Sequence, residues 1–175
     1  MVWLHGGGFF GGSGHDLISY DGENLCRRGD VVTVTLNHRL NLFGFLNLAE
    51  IGGERYAASG NAGMLDLGLA LEWVRDNIAA FGGDPGNVTI FGQSGGGGKV
   101  GTLMAMPAAQ GLFHRAVVQS GSMLRMATPE DSGRLAHIVL NELGLAAQRI
   151  ERLHELPVET LVMAARAARR VLYRS

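Results

Sequence analysis

The sequence predicts an α/β protein, a partial α/β fold with a mostly parallel sheet flanked by helices, and three observations carry that expectation. Apolar runs bounded by turn residues at 31–36 and 88–92 read as buried strands. Helical patterns lie between them, and strand–helix–strand alternation is the signature of a parallel sheet with helices on its faces. Glycine is concentrated in two short stretches that each follow a strand: 27 of 175 residues are glycine, about twice the usual ~7% share.

Taken in order, residues 1–4 look like a strand already under way. Residues 17–28 form a poor helical pattern stopped by Gly29. Residues 62–81 form a good one, with Leu65, Leu69, Trp73 and Ile78 close to helical spacing. Residues 115–119 are a weaker strand candidate. Thr128-Pro129-Glu130-Asp131 resembles an N-terminal cap, after which Leu135, Ile138, Val139 and Leu143 share a face until Gly144. Pro157 opens a last helix running towards Leu172. There is no internal repeat, low-complexity linker or second domain in this reading, so residues 1–175 are expected to form a single partial domain. An apolar strand at the very start, with its sheet edges open, reads as a piece of something longer.

Composition narrows the function. The formal charge is −1, which offers no general field for nucleic acid. The arginines after residue 145 read as a solvated helix face with cations near a helix C-terminus. Cys26 is the only cysteine, so no internal disulfide can form. No run approaches 18 apolar residues, so no membrane span is expected. Localisation and oligomeric state are not legible.

Residues 88–96, Val-Thr-Ile-Phe-Gly-Gln-Ser-Gly-Gly, run a strand straight into G-x-S-x-G. A serine nucleophile needs a turn so tight that its neighbours at ±2, here Gly92 and Gly96, carry almost no side chain. The turn then lifts the Ser94 hydroxyl above the sheet. A phosphate-binding P-loop ending at Gly98-Lys99 fails on spacing: its first glycine would be Gln93 and its metal-binding hydroxyl would be Val100. The dinucleotide pattern at Gly96, Gly98 and Gly101 begins beyond the turn where that motif belongs. The same pattern at Gly6, Gly8 and Gly11 opens no helix, and the following strand ends at Asn37 rather than at a carboxylate.

The better reading of His5-Gly6-Gly7-Gly8 is an oxyanion hole. An ester carbonyl under attack becomes negative, and bare backbone N–H groups in a glycine loop can be aimed at it without obstruction, each worth about 3 kcal/mol of barrier. An HGGG-type loop is the usual partner of G-x-S-x-G in lipases and esterases.

With both loops in this order, the chain resembles the carboxylesterase type B (cholinesterase-like) family of the α/β-hydrolase fold. The resemblance runs through residues 1–9, through Asn37-His-Arg-Leu-Asn-Leu-Phe-Gly-Phe-Leu46 and through Gly60-Asn-Ala-Gly-Met-Leu-Asp66. It continues through Trp73 to Pro85, the elbow at 88–96 and Val118-Gln-Ser-Gly-Ser122, and fades after about Met126. It implies Ser94 as nucleophile, with the N–H groups of Gly7, Gly8 and Gly95 as the oxyanion hole and a small-molecule carboxylic ester as substrate. No metal or organic cofactor is implied. The sequence departs from the family at Gln93, where glutamate is usual, and at Gly95, where alanine is common. In this fold the triad follows the chain order Ser, Asp or Glu, then His. After Ser94 the chain has only His114, His137 and His154, none in a matching context, and these read as structural. The chain is therefore expected to be inactive alone. Asp66 and Arg39 read as structural, Phe9 and Phe10 as core or as acyl contacts, and His5 as packing beside the loop. The alternative is a non-catalytic, cholinesterase-like binding or adhesion scaffold, against which the elbow serine with its flanking glycines speaks.

Overall fold

In the computed structural model, which describes residues 1–172, the strands are β1 (Val2–Leu4), β2 (Val34–Thr35), β3 (Thr89–Gln93) and β4 (Arg115–Gln119). They form one parallel sheet in the order β2-β1-β3-β4. The helices are α1 (Glu23–Gly29), α2 (Asn41–Phe45), α3 (Ala49–Gly52), α4 (Ala62–Asn77), α5 (Gly95–Ala105), α6 (Pro129–Glu142) and α7 (Val158–Leu172), joined in places by 3₁₀ turns. The backbone falls into two compact units, residues 1–38 with 64–124, and residues 39–63 with 125 onward.

The first unit holds the sheet. Its core is apolar side chains of the strands and of the helices against them: Val2, Leu4, Ile90, Met64, Leu67, Leu71, Val74, Val100 and Leu103, all nearly inaccessible. Burying a side chain of this size stabilises by about 1.5–3 kcal/mol. The register fixes the functional geometry. Leu4 pairs with Gly92, so β1 and β3 end side by side. The loops leaving two adjacent parallel strands must then meet at the sheet's C-terminal edge, which is where open α/β sheets place their ligands.

Two expectations are corrected here. The strand expected over residues 31–36 narrows to Val34 and Thr35, because among the described residues its ladder partner is the short β1, in register Val2–Val34 and Trp3–Thr35. The face expected for the helix over residues 62–81 holds only at Ile78 and is otherwise the wrong one. Leu65, Leu69 and Trp73 are 42%, 66% and 48% exposed, while Met64, Leu67, Leu71, Val74 and Ile78 face the core. Steps of three and four alternate in the buried set and hold one stripe, whereas successive steps of four drift around the helix.

The second unit is helical. Thr128 caps α6 as expected, accepting a hydrogen bond from the Asp131 N–H at 3.1 Å. Ala136 and Val139 of α6 pack with Leu46, Leu48, Ala164 and Ala168, and Leu135, Ile138 and Leu143 lie partly buried around them. The short helices at 41–52 and the 3₁₀ segment Ala147–Glu155 are too short for periodicity to announce them.

Candidate active site

Ser94 stands at the junction of β3 and α5 with φ +57° and ψ −122°, a conformation that L-residues rarely adopt. Its backbone is pinned on both sides: the N–H donates to the Gln119 carbonyl at 2.8 Å, and the carbonyl accepts from the Gly98 N–H at 3.0 Å. The side chain is exposed. A turn this sharp is possible because a Cβ on Gly96 would overlap the Leu4 carbonyl of β1. A Cβ on Gly92 would lie 2.5 Å from the Gly96 carbonyl carbon. Glycine costs about 1 kcal/mol per residue in a helix, and α5 carries five. The close approach of α5 to β1 and β4 requires it at Gly96 and Gly97, where a Cβ would meet the Leu4 and Gln119 carbonyls, but not at Gly101, where nothing lies within 4 Å.

The other loop arrives from β1. Gly7 and Gly8 have φ +85° and +64°, and the Gly7 carbonyl accepts from the Phe10 and Gly11 N–H groups at 3.4 and 3.2 Å, closing the turn. A Cβ on Gly6 would lie 3.7 Å from the Ser94 Cβ, and one on Gly95 would overlap the backbone of Gly8 itself. The structure therefore brings Gly7–Gly8, Ser94 and Gly95 to one place. Gly95 is also the first residue of α5, where helical N–H groups have no intrahelical acceptor and the helix dipole favours negative charge. Two loops rich in backbone donors beside an exposed hydroxyl can bind an oxygen that turns negative.

The expected histidines lie as follows. His5 is 1% exposed, and its Nδ1–H donates to the Gly6 carbonyl at 2.8 Å. That assigns the tautomer and leaves Nε2 as an acceptor with no partner among the described residues. The ring packs on His38, centroids 5.0 Å apart. Burial first, and Lys99 second, push the His5 pKa down. Burial, then Lys99 and His5, take His38 down to about 4, against a pull upward from Asp66. Both rings are neutral near pH 7. The His114 Nδ1 accepts from the Val88 N–H at 3.1 Å. In the second unit, His154 lies 3.3 Å from the Tyr56 hydroxyl. Among the described residues no group of three His, Cys, Asp or Glu side chains is placed to hold a metal.

Two site neighbours escaped sequence reading. Gly121 is one: a Cβ there would overlap the Ser94 carbonyl, so the segment after β4 closes over the elbow. Lys99 is the other, fully buried, with its ammonium donating to the His5 carbonyl at 3.0 Å. The available signal is that it is the chain's single lysine beside fourteen arginines, set in a helix with no other charged residue.

A parallel sheet whose strand β3 runs into the strained turn at Ser94 and then a helix, with a glycine loop arriving beside it, is the architecture of part of an α/β-hydrolase fold. The carboxylesterase-family profile matches residues 1–173, and the chain belongs to that family. It is 47% identical to the para-nitrobenzyl esterase of Bacillus subtilis (strain 168) over 94% of this chain and 33% of that protein. A carboxylesterase of Geobacillus stearothermophilus superposes with TM-score 0.89 at 49% identity, covering 94% of this chain and 34% of the other. An esterase from Clostridium hathewayi, described as able to hydrolyse aliphatic aromatic polyesters, superposes with TM-score 0.90 at 52% identity, over 99% and 35%. The chain thus spans about a third of the length of these relatives.

Proposed function

We propose that this chain is the nucleophile-bearing part, one partial domain, of a serine carboxylesterase acting on small-molecule carboxylic esters. Ser94 attacks the carbonyl carbon, and the N–H groups of Gly7, Gly8 and Gly95 hold the oxyanion of the tetrahedral intermediate. Collapse expels the alcohol, and water then releases the acid from the acyl-enzyme. The observation that carries this reading is the strained Ser94 turn with the Gly8 backbone in contact range of Gly95. Membership of the carboxylesterase family supports it.

Ser94 needs a general base within about 3 Å. His5 does not engage the serine: its Nε2, the nitrogen left to act as a base, has no hydrogen-bond partner among the described residues, and its ring is buried against His38. The triad histidine and acid accordingly come from outside these 175 residues, and the chain by itself is essentially inactive. Loss of the base of such a triad costs on the order of 10⁶ in turnover.

The test compares serine-directed fluorophosphonate labelling of the chain alone with that of a polypeptide extended in both directions. The extended protein is expected to label rapidly and the short chain to label at a background rate. Rapid labelling of the short chain that is lost in Ser94→Ala would place a base within it, with His5 the first candidate.

A further inference from the structure

We propose that Lys99 is a positioning residue of the acyl-transfer reaction: its buried ammonium ties the oxyanion loop to the helix that carries the nucleophile and holds a positive charge beneath that loop. The inference rests on the esterase reading and adds to it a residue that the elbow and glycine motifs do not include.

The geometry is specific. Lys99 lies five residues after Ser94 on α5 and is 0% exposed. Its Nζ donates to the carbonyl of His5 at 3.0 Å, the residue from which the Gly6–Gly8 loop departs. The same Nζ stands 5.9 Å from the centroid of the Phe9 ring, at the loop's other end, within cation–π range. One ammonium therefore touches both ends of the segment that carries the Gly7 and Gly8 donors. An ammonium without water is costly to bury, and a methionine would fill the same space without that cost. Groups kept at such a cost tend to serve function rather than stability. A buried cation close to a developing oxyanion stabilises the transition state more than it does the neutral ester.

The reaction should then depend on the charge of Lys99. Burial brings its pKa down to about 8. Of the groups around it, His5 at the end of β1 and His38 beyond β2 both feel its charge and are themselves held neutral, and Asp16 and Asp66 act on those two histidines. Lys99 is the only ionisable residue of α5, β3 contributes none, and β4 offers only Arg115, whose guanidinium bonds the Asn87 side chain.

The experiment uses the full-length protein that carries these residues, with a short-chain nitrophenyl ester, and compares wild type, Lys99→Met, Lys99→Arg and Ser94→Ala. Wild-type kcat is expected to fall as pH rises through about 8. Lys99→Met should lower kcat by about 10- to 100-fold at pH 7, leave KM within about twofold and lose the alkaline limb, while melting no lower than wild type. Lys99→Arg should recover part of kcat and stay active beyond pH 10. Three results would overturn the proposal. One is a wild-type kcat that stays flat to pH 10, which decides the matter even if the variants do not fold. Another is wild-type kcat in Lys99→Met. The third is a loss in Lys99→Met matched by a fall in melting temperature and not recovered by arginine, which would make Lys99 a packing residue. Ser94→Ala separates the two readings: hydrolysis surviving there removes the assignment of Ser94 as nucleophile, whatever Lys99 does.

Discussion

Replacing Ser94 by glycine should stabilise the protein while abolishing its chemistry. At φ +57° and ψ −122°, a residue with a Cβ carries strain of about 1–3 kcal/mol, which glycine does not. The anchoring hydrogen bonds, Ser94 N–H to Gln119 and Gly98 N–H to Ser94, are backbone bonds and survive the change. Against the relief stands the extra freedom of glycine in the unfolded chain, about 0.5–1 kcal/mol. The net gain is about 0.5–2 kcal/mol, or roughly 2–6 °C in Tm for a protein of this size. The control is Ser94→Ala, which removes the same hydroxyl but keeps the Cβ and hence the strain. Melting both variants beside wild type, by calorimetry or by urea titration, isolates the backbone term. A Ser94→Gly protein that melts at or below Ser94→Ala would show that the turn is not strained and that the conformation does not store energy for the nucleophile.

Two further outcomes follow from the same geometry. Gly96→Ala would press a methyl group onto the Leu4 carbonyl of β1, and should cost about 1–3 kcal/mol together with most activity; a urea midpoint within error of wild type would remove the argument for that glycine. His38 should make stability depend on pH in the acid range. Its folded pKa of about 4 lies below the ordinary value of 6.5, so between those pH values the unfolded chain binds a proton that the folded chain refuses. Stability then falls as pH drops from 6.5 to 4, by about 2 kcal/mol once partial exposure is allowed for. Urea midpoints measured across that window should flatten in His38→Gln, and an unchanged slope would mean that other groups carry it.

How much could be read from the residues depended on the kind of signal. β3 is legible because strands of parallel sheets read as continuous apolar runs between turn residues, whereas β4, bounded by Arg115 and Gln119 and alternating in exposure, gives the weaker signal. The elbow was legible because a sharp turn after a buried strand admits few residues at ±2 of the serine. β2 was overextended because ladder length is set by the partner strand, which local sequence does not show. The α4 face was misread because the helix carries apolar residues on two sides, and only packing decides between Leu65–Leu69–Trp73 and Met64–Leu67–Leu71. In the sequence Lys99 stands out only as part of a failed P-loop spacing. A lysine in a glycine-rich helix gives no local sign of being buried, and its partner, the carbonyl of His5, is 94 residues away.

Where Ser94 sits relative to the glycine donors is measured by a crystal structure of the full-length protein inhibited by a phosphonate ester. It should show phosphorus bonded to the Ser94 Oγ, with the phosphoryl oxygen about 2.7–3.1 Å from the N–H nitrogens of Gly7, Gly8 and Gly95. Phosphorus on any other side chain, or a phosphoryl oxygen turned to solvent away from those three nitrogens, would contradict the proposed site.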